Sequence, residues 1–380
     1  MKARPVLLLA VSALSIGMLR GAPGAPRRVP LTDPAIFRSP YCWRTDDAGD
    51  AVCPAGGGYL KFDVTGTAHL GLRVDTAINR GLSALQMPAV KVIVSGPARD
   101  GLAHYVAFPA DDRADTAVPL ADGLDPGTHY RVTLFAVGGD ERAMSGWSGT
   151  IFQTQINRLV LDAGGVVLPP ALRPRRALFL GASYEQAFFG FLREDEPMYR
   201  SVDPSLAWPF FVAFAFDCEY GQVGIGSQGW ARFGNGGYPA FPYTWNRFDA
   251  RHAKTFGPDL DYVFVHLAEN DAAQPDAAVE RAVAAWIPAA RAAFGPRTRL
   301  FIILSLPQIK SGPIRAGVAA AADPLTYVLD PGREYQRTVF AGGPTWASPG
   351  DGIHLDAVHQ GLFTAFVTRQ AQACLDRGTP

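Results

Sequence analysis

Three short stretches hold residue types that could act together on a carbonyl. Residues 178–188 read LFLGASYEQAF, an apolar run that stops at Gly181-Ala182-Ser183 and restarts with helical character. A serine in a tight turn between a strand and a helix sits where backbone N–H groups converge, which is a setting for a nucleophile. It is equally a setting for a helix N-cap, and this stretch alone does not separate the two. Ala268-Glu269-Asn270-Asp271 adds a side-chain amide, and residues 349–361, PGDGIHLDAVHQG, add two D-x-x-H pairs. A serine, an amide and an Asp/His pair on one rim are the ingredients of acyl transfer. Gly352 suits a loop in which Asp351 and His354 both face a cleft, whereas Asp356 stands where a helix N-cap belongs, with His359 in the first turn. Asp351 and His354 are therefore the chosen pair, although any single D-x-x-H also reads as polar loop. His266 lies within an apolar strand and reads as a satisfied core histidine, and His69, His104 and His129 read as structural.

Such residues need elements to position them. Short continuous apolar runs at Ala177–Leu180, Tyr262–Leu267 and Leu300–Leu304 are expected for strands covered on both faces of a parallel sheet. Between the last two, Val279, Ala282, Val283, Trp286, Ile287, Ala290 and Phe294 fall at helical spacing, with Pro288 as a kink and Gly295-Pro296 as the stop. A last helix carries Leu362, Phe363, Phe366, Val367, Ala371 and Cys374 on one face. Alternating strands and helices predict a three-layer α/β sandwich over 177–380, and in such sheets the ligand lies beyond the carboxyl ends of the strands.

Ahead of it the rhythm has period two. Leu60, Phe62 and Val64, then Leu70, Leu72 and Val74 across Thr65-Gly66-Thr67, read as a hairpin; Val90, Val92, Val94 and Tyr130, Val132, Leu134 repeat the pattern. Many short strands with Gly/Pro turns predict an all-β jelly-roll domain over 31–165. The proline-rich, basic stretch 166–176 is the expected linker.

The chain of 380 residues carries 35 basic and 35 acidic side chains, so no net field argues for nucleic acid or an anionic membrane surface. Residues 1–25 have the basic start and short apolar run of a signal peptide, which predicts a secreted or periplasmic protein, an uncleaved anchor being the alternative. Cys42 and Cys53 are close enough to staple a loop, while Cys218 and Cys374 read as small buried hydrophobes. No Cys/His spacing has the form of a zinc site, and neither metal nor cofactor is expected.

GASYE, GIGSQGW, AEND and DGIH occur in the order of the four blocks of the SGNH (GDSL-type) hydrolases, which the C-terminal half resembles. With the β half in front, the chain resembles the second family of carbohydrate esterases, which remove acetyl groups from polysaccharides such as xylan. The resemblance implies a flavodoxin-like parallel sheet, Ser183 as nucleophile, His354 as general base and Asp351 as the carboxylate that orients it. It implies an oxyanion hole from the Ser183 N–H, a backbone N–H at Gly226 or Ser227, and the Asn270 amide, with a helix behind Ser183 aiming its positive end at the oxyanion. Three departures stand out: Ser227 at a usual glycine, Ala182 for the aspartate of GDS with the loss of a turn-supporting hydrogen bond, and Ala268-Glu269 for Gly-Thr. Glu269 adds a charge near the rim that could tune the histidine or select substrate. Trp230 and Trp346, with Tyr238 and Trp245, are candidates for stacking on sugar rings. The expected partner is an acetylated polysaccharide or oligosaccharide. Alternatives are a catalytically weak or inactive carbohydrate-binding protein of this fold, or an acetyltransferase or lipase-type enzyme, the lipase being disfavoured by the lack of an extended apolar lid. An α/β-hydrolase is excluded because Glu185 replaces the second glycine of G-x-S-x-G and the acid precedes the base by three residues.

Overall fold

The computed structural model describes residues 24–54, 56–97, 99–138, 146–148, 154–186, 188, 196–334 and 353–377. The expected signal segment falls almost wholly outside this range. No helix among the described residues is long and apolar enough to cross a membrane.

Five parallel strands form the central sheet of the C-terminal half: β1 (Arg175–Gly181), β2 (Cys218–Gly224), β3 (Tyr262–His266), β4 (Arg299–Ile303) and β5 (Thr326–Leu329). Their spatial order is β2-β1-β3-β4-β5, the flavodoxin-like winding, in which the order reverses beside β1. Among the described residues the sheet is covered by α1 (Trp208–Ala215), α2 (Asp276–Phe294), α3 (Ser311–Ala321) and α4 (Ala357–Asp376). Because successive strand side chains alternate faces, Ala177, Phe179, Phe264 and Phe301 pack with Trp208, Val212, Phe363 and Val367 on one side. Leu178, Leu180, Val263, Val265 and Leu300 pack with Val279, Val283, Ile287 and Ile314 on the other. Cys218 and Cys374 lie within the first of these cores as free thiols.

The N-terminal half consists of two six-stranded antiparallel sheets closed on one apolar core, a jelly-roll-like arrangement. One sheet runs Arg44–Thr45, Ala51–Cys53, Thr154–Leu161, His69–Val74, Thr116–Asp122, with Arg27–Pro30 also on Thr154–Leu161. The other runs Val166–Leu168, Tyr59–Thr65, Tyr130–Val137, Ala89–Gly96, Arg99–Ala107, with Phe37–Arg38 on Tyr59–Thr65. The hairpin expected from Tyr59 to Val74 does not form: Tyr59–Thr65 pairs with Tyr130–Val137, and His69–Val74 pairs with Thr154–Leu161 in the opposite sheet. Leu60, Phe62, Val64, Leu70, Leu72 and Val74 are nonetheless all buried in the shared core. Alternation dictates which face is buried and leaves the choice of partner strand free. Cys42 and Cys53 are free and buried rather than bridged, and the Cys42 thiol is used instead by the Gln222 N–H, which donates to it at 3.2 Å.

The two halves share packing. Tyr59, Ala89, Phe135 and Val137 belong to the same core as Phe179 and Trp208. At that seam the buried Glu219 accepts hydrogen bonds from the Tyr59 hydroxyl, from Lys61 Nζ at 2.5 Å and from the Arg173 N–H at 3.1 Å. Burial pushes the Glu219 carboxyl up, but Lys61 and Tyr59 outweigh it and hold it below its ordinary value. Removing one member of a buried ion pair strands the other, so Glu219→Ala is expected to cost about 3 kcal/mol in denaturant unfolding.

Candidate functional site

The sheet register brings three loops to one level. Gly181, at the end of β1, lies opposite Gly224 of β2 and His266 of β3. Ser183 therefore leaves the sheet beside Gly226 and Ser227 from the second block and beside Glu269 and Asn270 from the third. The fourth block arrives from the far end of the sequence, placed by α4. Asp356 caps that helix, accepting from the His359 N–H at 2.8 Å and contacting His359 Nδ1 at 2.7 Å, so this pair is structural. Buried Gln360 accepts from the Trp208 N–H at 3.0 Å, and the Tyr184 hydroxyl donates to the Ile353 carbonyl at 2.7 Å. With both sides pinned, His354 Nε2 lies 2.8 Å from Ser183 Oγ. The rings of Tyr184 and Phe188 stand edge-on to the imidazole. Asp351, Gly352 and Trp346 lie outside the described residues.

These loops surround a cleft of about 240 Å³. Ser183, Gly226, Ser227, Asn270 and His354 all line it, together with Asn235, Glu185, His266 and Glu269. One Asn270 amide hydrogen is used by the Gln228 carbonyl, with nitrogen and oxygen 3.0 Å apart, which fixes the side chain and leaves the second hydrogen for another acceptor. Asp271 is not part of the cleft lining. Its carboxylate accepts from the backbone N–H groups of Trp230, Ala231 and Arg232 at 2.7, 3.0 and 3.1 Å, tying the third block to the second. Burial nevertheless leaves the Asp271 carboxyl above its ordinary value.

Several expectations change. Trp230 is only 1% exposed and packs on Phe241 and Trp286 in the core, and Tyr238 and Trp245 are buried as well. None of the three lines the cleft, because the second block folds back over α2 and uses its aromatic rings as core. Beyond Ser183 the described residues form a single turn, with Gln186 N–H on the Ala182 carbonyl at 2.9 Å and Phe188 N–H on the Ser183 carbonyl at 3.0 Å. Among the described residues no helix follows Ser183 directly.

The turn-supporting hydrogen bond that Ala182 cannot make is made by Glu185. Its Oε2 accepts from the Ala182 N–H at 2.8 Å, and its Oε1 accepts from Trp208 Nε1 and meets His266 Nδ1, each at 3.0 Å. The carboxylate passes so close to Gly181 that a Cβ there would collide with it. The other imidazole nitrogen, His266 Nε2, makes a 2.9 Å ion contact with Glu269 Oε1 that lacks hydrogen-bond alignment. His266 is thus a core histidine, as expected, but one clamped between two acids. Burial alone pushes its imidazole down, yet the charges of Glu269 and Glu185 outweigh this and raise it to about 10. Burial raises the Glu185 carboxyl, whereas for Glu269 the His266 charge overcomes burial and lowers it. The i,i+3 spacing of His266 and Glu269 was the local signal for one half of this clamp, whereas Glu185, 81 residues from His266, carried none.

Two non-glycine residues of these blocks have glycine-like backbone. Ser227 has φ 61° and Ala268 φ 108°, both left-handed. No Cβ is comfortable at such angles, and the strain is about 1 kcal/mol or more per residue.

No protein-family model and no curated protein sequence matches the chain. Solved structures do. A family two carbohydrate esterase from Cellvibrio japonicus superposes with TM-score 0.72 at 14% identity, covering 93% of this chain and 98% of the other. An acetyl xylan esterase from the rumen bacterium Butyrivibrio proteoclasticus gives TM-score 0.66 at 13% identity, covering 93% and 98%. The chain has the fold of the family two carbohydrate esterases. A salicylyl-acyltransferase from a tetracycline biosynthetic pathway shares this fold too, with TM-score 0.60 at 13% identity over 93% of this chain and 100% of that one. The fold therefore accommodates both hydrolysis and transfer of acyl groups.

Two stability measurements check the site's construction. Ala268→Gly relieves the left-handed backbone and is expected to raise unfolding free energy by about 1 kcal/mol, net of the entropy glycine adds to the unfolded chain. His266 has a folded value near 10, above the ordinary 6.5 or so of an unfolded histidine. Its stabilisation is then fully present below about pH 6.5 and is lost as pH rises through about 10. The denaturant midpoint should fall as pH rises from about 6.5 to about 10, and His266→Asn should remove most of that fall while lowering stability at neutral pH by about 3 kcal/mol.

Proposed function

We propose that the protein is a serine esterase that removes O-acetyl groups from carbohydrate, with Ser183 as nucleophile, His354 as general base and Asp351 as the acid that orients the imidazole. The observation that carries this reading is the 2.8 Å contact between His354 Nε2 and Ser183 Oγ at the mouth of a cleft. A serine hydroxyl is a weak nucleophile until a positioned base takes its proton. With Nε2 facing the serine, Nδ1 is the nitrogen for Asp351 to hold, and the sequence sets that acid three residues before the histidine.

In this mechanism Ser183 Oγ attacks the ester carbonyl while His354 Nε2 accepts the hydroxyl proton. The carbonyl oxygen becomes an oxyanion, bound by the Ser183 N–H, the Ser227 N–H with Gly226 beside it, and the Asn270 amide hydrogen not used by Gln228. Collapse breaks the bond to the sugar oxygen, which leaves with the proton from His354. Water then gives a proton to His354 and attacks the acyl-serine, and acetate departs as Ser183 recovers its hydrogen. Preorganised donors count for much here because they need no reorientation as charge develops.

Carbohydrate as the alcohol half rests on the likeness to carbohydrate esterases. A second reading, transfer of the acyl group to another hydroxyl, is favoured by the fold shared with the acyltransferase. The two differ in the acceptor of the acyl-serine. Export of the protein belongs to the proposal as well.

The test is acetate release from acetylated xylan, glucomannan and pectin. The parent protein should release acetate into water from at least one, Ser183→Ala should release almost none, and Asn270→Ala should turn over about 10²–10³ more slowly. Undiminished release by Ser183→Ala would overturn the assignment, and acetyl appearing on an added sugar in place of free acetate would favour transfer.

A further inference from the structure

Among the described residues the ion cluster on the floor of the cleft holds two carboxylates to one imidazole. Among its described lining residues the carboxylates and imidazoles are Glu185, His266, Glu269 and His354. Glu185 is an acceptor for Ala182 N–H, Trp208 Nε1–H and His266 Nδ1–H, the pattern of an ionised carboxylate. His266 supplies one positive charge between two negative ones. The surplus is not shared equally. Glu185 is wholly buried against the sheet, whereas the Glu269 side chain keeps 15% of its surface exposed where it lines the cleft, beside Asn270. Among the described residues Arg232 is a nearby cation, exposed to solvent, whose guanidinium donates to the Asn270 carbonyl at 3.4 Å, so water screens it.

Glu269 is also fixed. His266 clamps Oε1 from below, and the Leu306 N–H bonds the carboxylate from the next strand's loop. A carboxylate so held cannot swing away from an approaching anion. It acts on the reaction through its field, as a charge at a set distance from the carbonyl that Ser183 would attack.

We propose that Glu269 sets the charge preference of the cleft, so that acyl esters bearing a cationic or neutral group beside the reacting carbonyl are accepted and those bearing a carboxylate there are disfavoured. This rests on the esterase reading above and names its substrate class: neutral or amino sugars rather than uronic acids. By Coulomb's law at an effective dielectric of about 20 to 40, one partly neutralised charge lining the same cleft is enough to separate a cationic from an anionic ester about tenfold in kcat/KM.

The test uses three acetates of one shape: phenyl acetate, 3-acetoxy-N,N,N-trimethylanilinium and 3-acetoxybenzoate, each rate divided by that ester's hydroxide-catalysed rate. The readout is the cationic-to-anionic ratio of kcat/KM within each variant, from which any general loss of activity cancels. The parent should show a ratio of about ten, Glu269→Gln a ratio near one, and Glu269→Asp, which restores the charge, a ratio back toward the parent's. A parent ratio near one, or a ratio that Glu269→Gln leaves unmoved, overturns the inference while the esterase reading stands. Hydrolysis of none of the three by the folded parent overturns both. Should Glu269→Gln fail to fold, the parent ratio alone decides, and a value near one overturns the inference.

Discussion

A hydrogen bond between His354 and Ser183 joins loops 171 residues apart in sequence, and much of the α/β half can be read as the means of making it. Loops of that separation meet only if rigid elements carry them. The serine side is held by β1, whose neighbours end at the same level. The histidine side is held by α4, which is docked through Gln360 on the start of α1 and through apolar contact of Phe363 and Val367 with the sheet. The Tyr184 hydroxyl on the Ile353 carbonyl then links one loop directly to the other. A side chain next to the nucleophile thus sets the position of its base.

The second constraint is the ion cluster under the serine turn. Ala182 has no polar side chain to support the turn, and the carboxylate of Glu185, three residues on, accepts from the Ala182 N–H. That carboxylate is buried, and a buried charge is costly unless paired and hydrogen-bonded. His266 meets the need, and Glu269 completes the clamp. The serine turn is in this way tied to His266 at the end of β3 and to Glu269 in the loop after it. The result is a nucleophile turn whose support is ionic, with an excess negative charge left at the cleft.

Much of this was legible in the sequence because it depends on local pattern. Continuous apolar runs marked β1, β3 and β4, the spacing of Val279 to Phe294 marked α2, and Asp356 read as a cap. The residues expected on the rim at Ser183, Gly226, Ser227, Asn270 and His354 do line one cleft. What failed depends on tertiary choice. Strand alternation around Tyr59 and Leu70 was right, yet the partners came from the other end of the β half. Tryptophans near the second block looked like a sugar platform, but Trp230 and Trp245 fill the space over α2 that a large ring fills best. Cys42 and Cys53 were near in sequence, and their thiols went separate ways. Glu185 was read only as a missing glycine, since nothing local reveals that its carboxylate turns back onto the Ala182 N–H.

The most direct measurement is of the serine itself. A fluorophosphonate probe reacts with a serine whose proton is taken by a neighbouring base, and peptide mapping by mass spectrometry locates the adduct. The account predicts one adduct, on Ser183, formed far more slowly in His354→Ala of equal thermal stability. Absence of label at Ser183 in the folded parent, or labelling at the same rate without His354, would contradict it.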